Sequence, residues 1–218
     1  MGGRWSRCRR RHTISMIHET RCFIAAFPLT QPRLYGNLLI GQYRRKGDIP
    51  LHYNFDDQLA KGQYGEEHLD KYFASRGNII VRATTEQERN GIDRAFTTST
   101  GETITVEYKT DSKTFHTGNA FIETISVDRP PERIALGWAV KSQADFLYYY
   151  VPERSEVCIV RMGRIRALLP QWITQFPLRG VYNPTWMTWG LLVPYARLVE
   201  IGRTIPIGPI GPPPPPPA

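Results

Sequence analysis

The stretch GIDRAFTTSTGETITVEYKT, residues 91–110, narrows the fold more than any other part of the chain. Two β-rich runs flank Ser99, Thr100 and Gly101, and that arrangement predicts a β-hairpin. In its second strand, alternation puts Ile104, Val106 and Tyr108 on one face and Thr105, Glu107 and Lys109 on the other. The preceding segment, FDDQLAKGQYGEEHLDKYFASRG, reads as an amphipathic helix. Leu59, Leu69, Tyr72 and Phe73 fall near one face, Glu67, Asp70 and Lys71 fall on the other, and Gly77 closes it.

The rest of the chain extends this pattern. NIIVRAT is a short strand between helix and hairpin, and AFIETISVD is a further strand. ERIALGWAVKSQA reads as a weakly patterned helix, DFLYYYVP and EVCIVRM as strands. The run Tyr148, Tyr149, Tyr150 belongs to packing, since aromatics fill strands. RIRALLPQWITQF reads as a helix with Pro170 in a first turn or at a break, and WGLLVPYARLVEIG as strand, proline turn and short helix. The order of helix, strand, hairpin, strand, helix and strand predicts an α/β fold with a central mixed sheet flanked by helices. The expected division is a basic, poorly ordered arm over 1–50, a folded domain over 51–203, and a disordered proline-rich tail over 204–218.

Composition bounds the function classes. The 218 residues are 41% hydrophobic and 22% charged, and no run approaches the ~20 apolar residues of a membrane span. The apolar patch Cys22–Phe27 is shorter than a signal-peptide core. Cys8, Cys22 and Cys158 have no CxxC spacing, so neither a disulfide framework nor a zinc site is expected, and a cytoplasmic location is. The net charge of +8 is concentrated: the first 46 residues hold ten Lys or Arg against one acid, Glu19, and the remainder is nearly neutral. That arm reads either as a phosphate-gripping extension or as an unstructured leader, with Met16 as an alternative first residue. The six closing prolines read as a solvated tail, with a groove-binding role as the second option.

Taken alone, Glu107 and Lys109 read as an exposed ion pair. Two further acids alter that reading. Asp93 follows the Asn90-Gly91 turn and enters the first hairpin strand beside Glu107. Glu66 lies three and seven residues before Leu69 and Phe73, on the apolar side of its helix, where an acid is costly unless paired, metal-bound or at the rim of a cleft. Three carboxylates and a lysine are therefore expected to converge. A hard cation such as Mg²⁺ needs a few carboxylate oxygens and keeps room for water and phosphate oxygens. Asp93 and Glu107 are the expected ligands, Lys109 orients water or stabilises charge, and Glu66 completes a second or outer position.

The succession KGQYGEE, GIDRAF and ITVEYKTD resembles the PD-(D/E)XK nuclease superfamily over about residues 60–182. Asp93 matches its first strand acid, Glu107 and Lys109 its (D/E)XK step, and Glu66 its helix acid, with Ile92 in place of the proline. KTDSKTFHTGNAFIETISVD and GWAVKSQADFLYYYVPE are similar to small phage and bacterial Holliday-junction-resolvase-like members. The resemblance implies a restriction-endonuclease-like core and a DNA endonuclease dependent on Mg²⁺, with Mn²⁺ able to substitute. It also implies a homodimer. By position, Glu123 would touch the metal site, and Lys141, Ser142, His116 and Lys113 would contact DNA. The alternative is a catalytically silent DNA-binding or assembly module of the same fold.

Overall fold

The computed structural model describes residues 51–52, 55–129, 131 and 133–208. The basic arm through residue 50 and the final prolines lie outside the described residues, as do Cys8 and Cys22. In chain order the elements are β1 (Leu51–His52), α1 (Phe55–Ala74), β2 (Ile79–Arg82), α2 (Thr85–Arg89), β3 (Arg94–Thr97) and β4 (Thr103–Thr110). There follow α3 (Lys113–Thr117), β5 (Asn119–Arg129), β6 (Arg133–Leu136), α4 (Trp138–Lys141), β7 (Phe146–Val151) and β8 (Glu156–Arg161). The last are α5 (Met162–Gln175), β9 (Leu178–Asn183), β10 (Trp186–Pro194), α6 (Tyr195–Ile201) and β11 (Arg203–Pro206). Among these helices none is long and apolar enough to cross a membrane.

A six-stranded sheet in the order β11-β8-β7-β4-β3-β2 carries the hairpin. It is mixed, because β4 and β7 run parallel while its other neighbours are antiparallel. Helices flank it, so the α/β architecture expected from the element order is the one formed. Between β3 and β4, Thr98 N–H donates to the Glu102 carbonyl at 2.9 Å, and Gly101 takes a φ of +81° in the turn. Asn78 N–H returns to the Phe73 carbonyl to end α1, beside Gly77 at φ +85°.

The two faces of this sheet have different cover. Val106 and Tyr108 join Leu69 and Phe73 of α1, with Phe96, Tyr148 and Tyr150, in one apolar cluster. Leu147, Tyr149 and Val160 face a second cluster with Trp138 of α4, Ile165 and Trp172 of α5 and Leu198 of α6. α1 approaches so closely at Gly65 that a Cβ there would stand 2.1 Å from the Thr110 hydroxyl oxygen. Thr110 ends β4, so the earlier turns of α1 run past the strand. Leu59, expected on the apolar face, is accordingly 49% exposed.

Several expectations are corrected. The helix expected over 132–144 is the strand β6, paired antiparallel with β5, followed by the single turn α4. Pro170 lies inside α5 rather than in its first turn. Met162, Ile165, Leu169 and Trp172 are buried along one stripe of that helix, and their burial offsets the ~3 kcal/mol a proline costs there. A second, five-stranded sheet, β1-β9-β10-β5-β6, was not foreseen, nor was β9 within it. The folded part also continues past residue 203. β11 pairs with β8, and Ile207 is 1% exposed in the α1-side cluster.

Candidate active site

The site forms where β3 begins beside the middle of β4. Arg94 pairs with Val106, so Asp93, one residue earlier, stands across from Glu107. Asp93 is fixed from both ends: its N–H donates to the Val106 carbonyl at 2.8 Å, and its carboxylate Oδ2 accepts the Tyr108 N–H at 2.7 Å. The turn ahead of it depends on Gly91, whose φ of +69° disfavours any side chain. A Cβ there would meet Ser142 at 2.8 Å and Glu107 Oε2 at 3.2 Å.

Glu107 is 3% exposed. Its Oε1 accepts from Lys109 Nζ at 2.8 Å, while Oε2 is buried with no hydrogen-bond partner among the described residues. Burial pushes the carboxyl up to about 7, partly offset by Lys109, with the negative charge of Asp93 pushing in the same direction as burial. The Lys109 ammonium is held well above its usual range, because Glu107, Asp93 and Glu123 together outweigh the cost of its desolvation. Its side chain is one-third exposed.

Glu123, half-buried on β5, is thus within electrostatic reach of Lys109. Lys141, exposed at the end of α4, is within reach of Glu107. Lys113 and His116 are exposed on α3, which begins three residues after β4 ends. Ser142 differs from expectation. It is 2% exposed, its hydroxyl donates to the Gly91 carbonyl at 2.5 Å, and its own carbonyl accepts from Arg166 Nη1 at 2.7 Å. A buried hydroxyl so engaged supports the Gly91 turn and does not face DNA.

Glu66 stands within electrostatic range of Asp93 and Lys109, but its Oε2 is bound by Arg94 Nη2 at 3.0 Å; burial raises its carboxyl, and the charge of Asp93 acts in the same direction. Arg94 was not singled out from the sequence, and neither was its partner Asp70, placed on the outward helix face. Two signals were available. Arg94 shares a strand face with Phe96, and Asp70 lies one helical turn after Glu66.

Among the described residues no group of three or more His, Cys, Asp or Glu is arranged to cage a metal. Two carboxylates suit a hard cation that keeps waters and takes substrate oxygens, and the buried, unpartnered Oε2 of Glu107 fits such a ligand.

No known family profile matches the chain, and no curated protein matches it. Among solved structures it is similar to a bacterial homing endonuclease, I-Ssp6803I, at 17% identity and a TM-score of 0.39, over 49% of this chain and 70% of that one. A likeness at that level carries no argument about activity.

Proposed function

We propose that the chain is a metal-dependent DNA endonuclease of the PD-(D/E)XK type, hydrolysing phosphodiester bonds. The observation that carries this reading is the buried Glu107 carboxylate, with one oxygen on Lys109 and the other unpartnered, across from Asp93. A carboxylate so placed is costly unless something positive completes its surroundings. Asp93 and Glu107 would hold Mg²⁺, or Mn²⁺ in its place. Bound there, the cation supplies neutralisation of the scissile phosphate and acidification of the attacking water.

The protein's own groups do the rest. Lys109, charged and beside Glu107, donates hydrogen bonds to the attacking water or to the phosphate oxygens as negative charge builds on them. Glu107 keeps that ammonium in place between turnovers. Lys141, with Lys113 and His116 on α3, offers phosphate contacts that position a strand and carry no sequence information. Such contacts fit a substrate chosen by its structure, of the resolvase kind.

The test is incubation of the full chain with supercoiled plasmid, single-stranded DNA and a four-way junction, in Mg²⁺ and in EDTA. Cleavage of at least one substrate in Mg²⁺, abolished by EDTA, is expected. Intact DNA throughout contradicts the proposal.

A further inference from the structure

Arg94 is a guanidinium 4% exposed, and each of its three nitrogens meets an acceptor. Its Nε meets Asp70 Oδ1 at 3.1 Å and Oδ2 at 3.0 Å, its Nη2 meets Glu66 Oε2 at 3.0 Å, and its Nη1 donates to the Asp93 carbonyl at 2.8 Å. The guanidinium carbon lies 5.4 Å from the centre of the Tyr108 ring. The Tyr108 hydroxyl donates to Asp70 Oδ1 at 3.0 Å, and the Tyr108 N–H holds the Asp93 carboxylate. Arg94, Asp70, Tyr108 and Asp93 therefore close a ring of polar contacts, to which Glu66 is added through Arg94.

Glu66 and Asp93 repel each other, and a pair of carboxylates in that relation invites a cation between them. Glu66 already has a cation, Arg94, which also holds the backbone carbonyl of Asp93. Guanidinium does not deprotonate, so Arg94 keeps its charge at every accessible pH. A metal ion on Oε2 of Glu66 would strip a buried cation of one of its two carboxylate partners, which is strongly unfavourable, and one on Oε1 would have to share the carboxylate with that cation. Either would bring a dication against the guanidinium.

We infer that Arg94 serves Glu66 in place of a second metal ion, so the site takes one divalent cation, on Asp93 and Glu107, and Glu66 is a positioning residue. This rests on the metal-site reading above. Glu66 steadies Arg94, and Arg94 steadies the Asp93 carbonyl, which sets the direction of the Asp93 carboxylate. The chemistry at the site is then that of a one-cation nuclease in which Lys109 supplies the other positive charge.

The experiment is calorimetric titration of the full chain with Mn²⁺ in the absence of DNA. Wild type is expected to bind one ion per chain. Glu66→Ala keeps that stoichiometry and weakens the affinity by about tenfold, as loss of a supporting partner does. Glu66→Gln keeps an acceptor oxygen for Arg94 and recovers the affinity, a rescue that an amide in place of a direct metal ligand would not give. Two ions per chain in the wild type, falling to one in both Glu66 variants, overturns the inference, and so does an unchanged affinity in Glu66→Ala. Absence of any Mn²⁺ binding by the wild type instead brings down the metal-site reading beneath it.

Discussion

Lys109 Nζ stands 2.8 Å from Glu107 Oε1, and the other oxygen of the same carboxylate is buried with no hydrogen-bond partner. A surface ion pair would leave both oxygens to water. Here a lysine two residues along the strand satisfies half of a buried acid, and the other half has no partner among the described residues. Several measurable consequences follow from that division.

Lys109→Ala should lower the single-turnover cleavage rate by about 10²–10³, the scale of losing one donor aimed at developing charge. Mn²⁺ affinity should not fall, since removing the ammonium frees Oε1 of Glu107 and deletes a neighbouring positive charge. Calorimetry and rate measurements on the same variant separate the two effects. An unchanged rate contradicts the role given to Lys109.

Glu107 makes metal-free stability depend on pH in a definite direction. Its carboxyl is raised from 4.5 to about 7, so the folded state binds the proton more tightly than the unfolded state does. That contribution is fully present below about 4.5 and declines as pH rises to about 7, by up to about 3 kcal/mol. Denaturant titrations in EDTA should show the decline in wild type and a flatter profile in Glu107→Gln. Parallel profiles would remove the argument for a buried, uncompensated acid.

Gly91→Ala forces a side chain into a left-handed backbone and against Ser142 and Glu107. It should destabilise the protein by at least about 1–2 kcal/mol and reduce cleavage, because the turn carries Asp93. Gly62 is the control: a Cβ there meets nothing within 4 Å, and Gly62→Ala in α1 should stabilise by about 0.5–1 kcal/mol. Thermal melts of both variants check the contrast.

Much of this site was legible in the sequence because strand alternation is strict. Once Gly101 fixed the turn, Glu107 and Lys109 had to share a face and Asp93 had to lie beside them. Glu66 was harder. Its helix face was read correctly, yet its partner Arg94 lies 28 residues away, in a strand that was read only for Asp93. Ser142 was misread because one polar residue after a lysine looks like surface, whereas α4 is a single turn that plunges back into the core at Ala144. Strand β6 was read as helix because four residues, RIAL, are too few to show a period, and β9 escaped notice because Gly180 breaks its short run. In β9, the Tyr182-Asn183-Pro184 step before Trp186 was the available hairpin signal.

Ile207 shows the same limit at the C-terminal boundary. Set among Pro and Gly, it looked like tail, but it fills the cluster beneath the site sheet. Ile207→Ala should cost about 2–4 kcal/mol in denaturant unfolding, a loss that no solvated tail residue would produce.

The most direct measurement of the central claim is the position of Mn²⁺ in crystals of the chain, located by anomalous scattering. The account predicts one strong peak per chain, within about 2.5 Å of a carboxylate oxygen of both Asp93 and Glu107. A peak coordinated elsewhere, or none at saturating Mn²⁺, would contradict it.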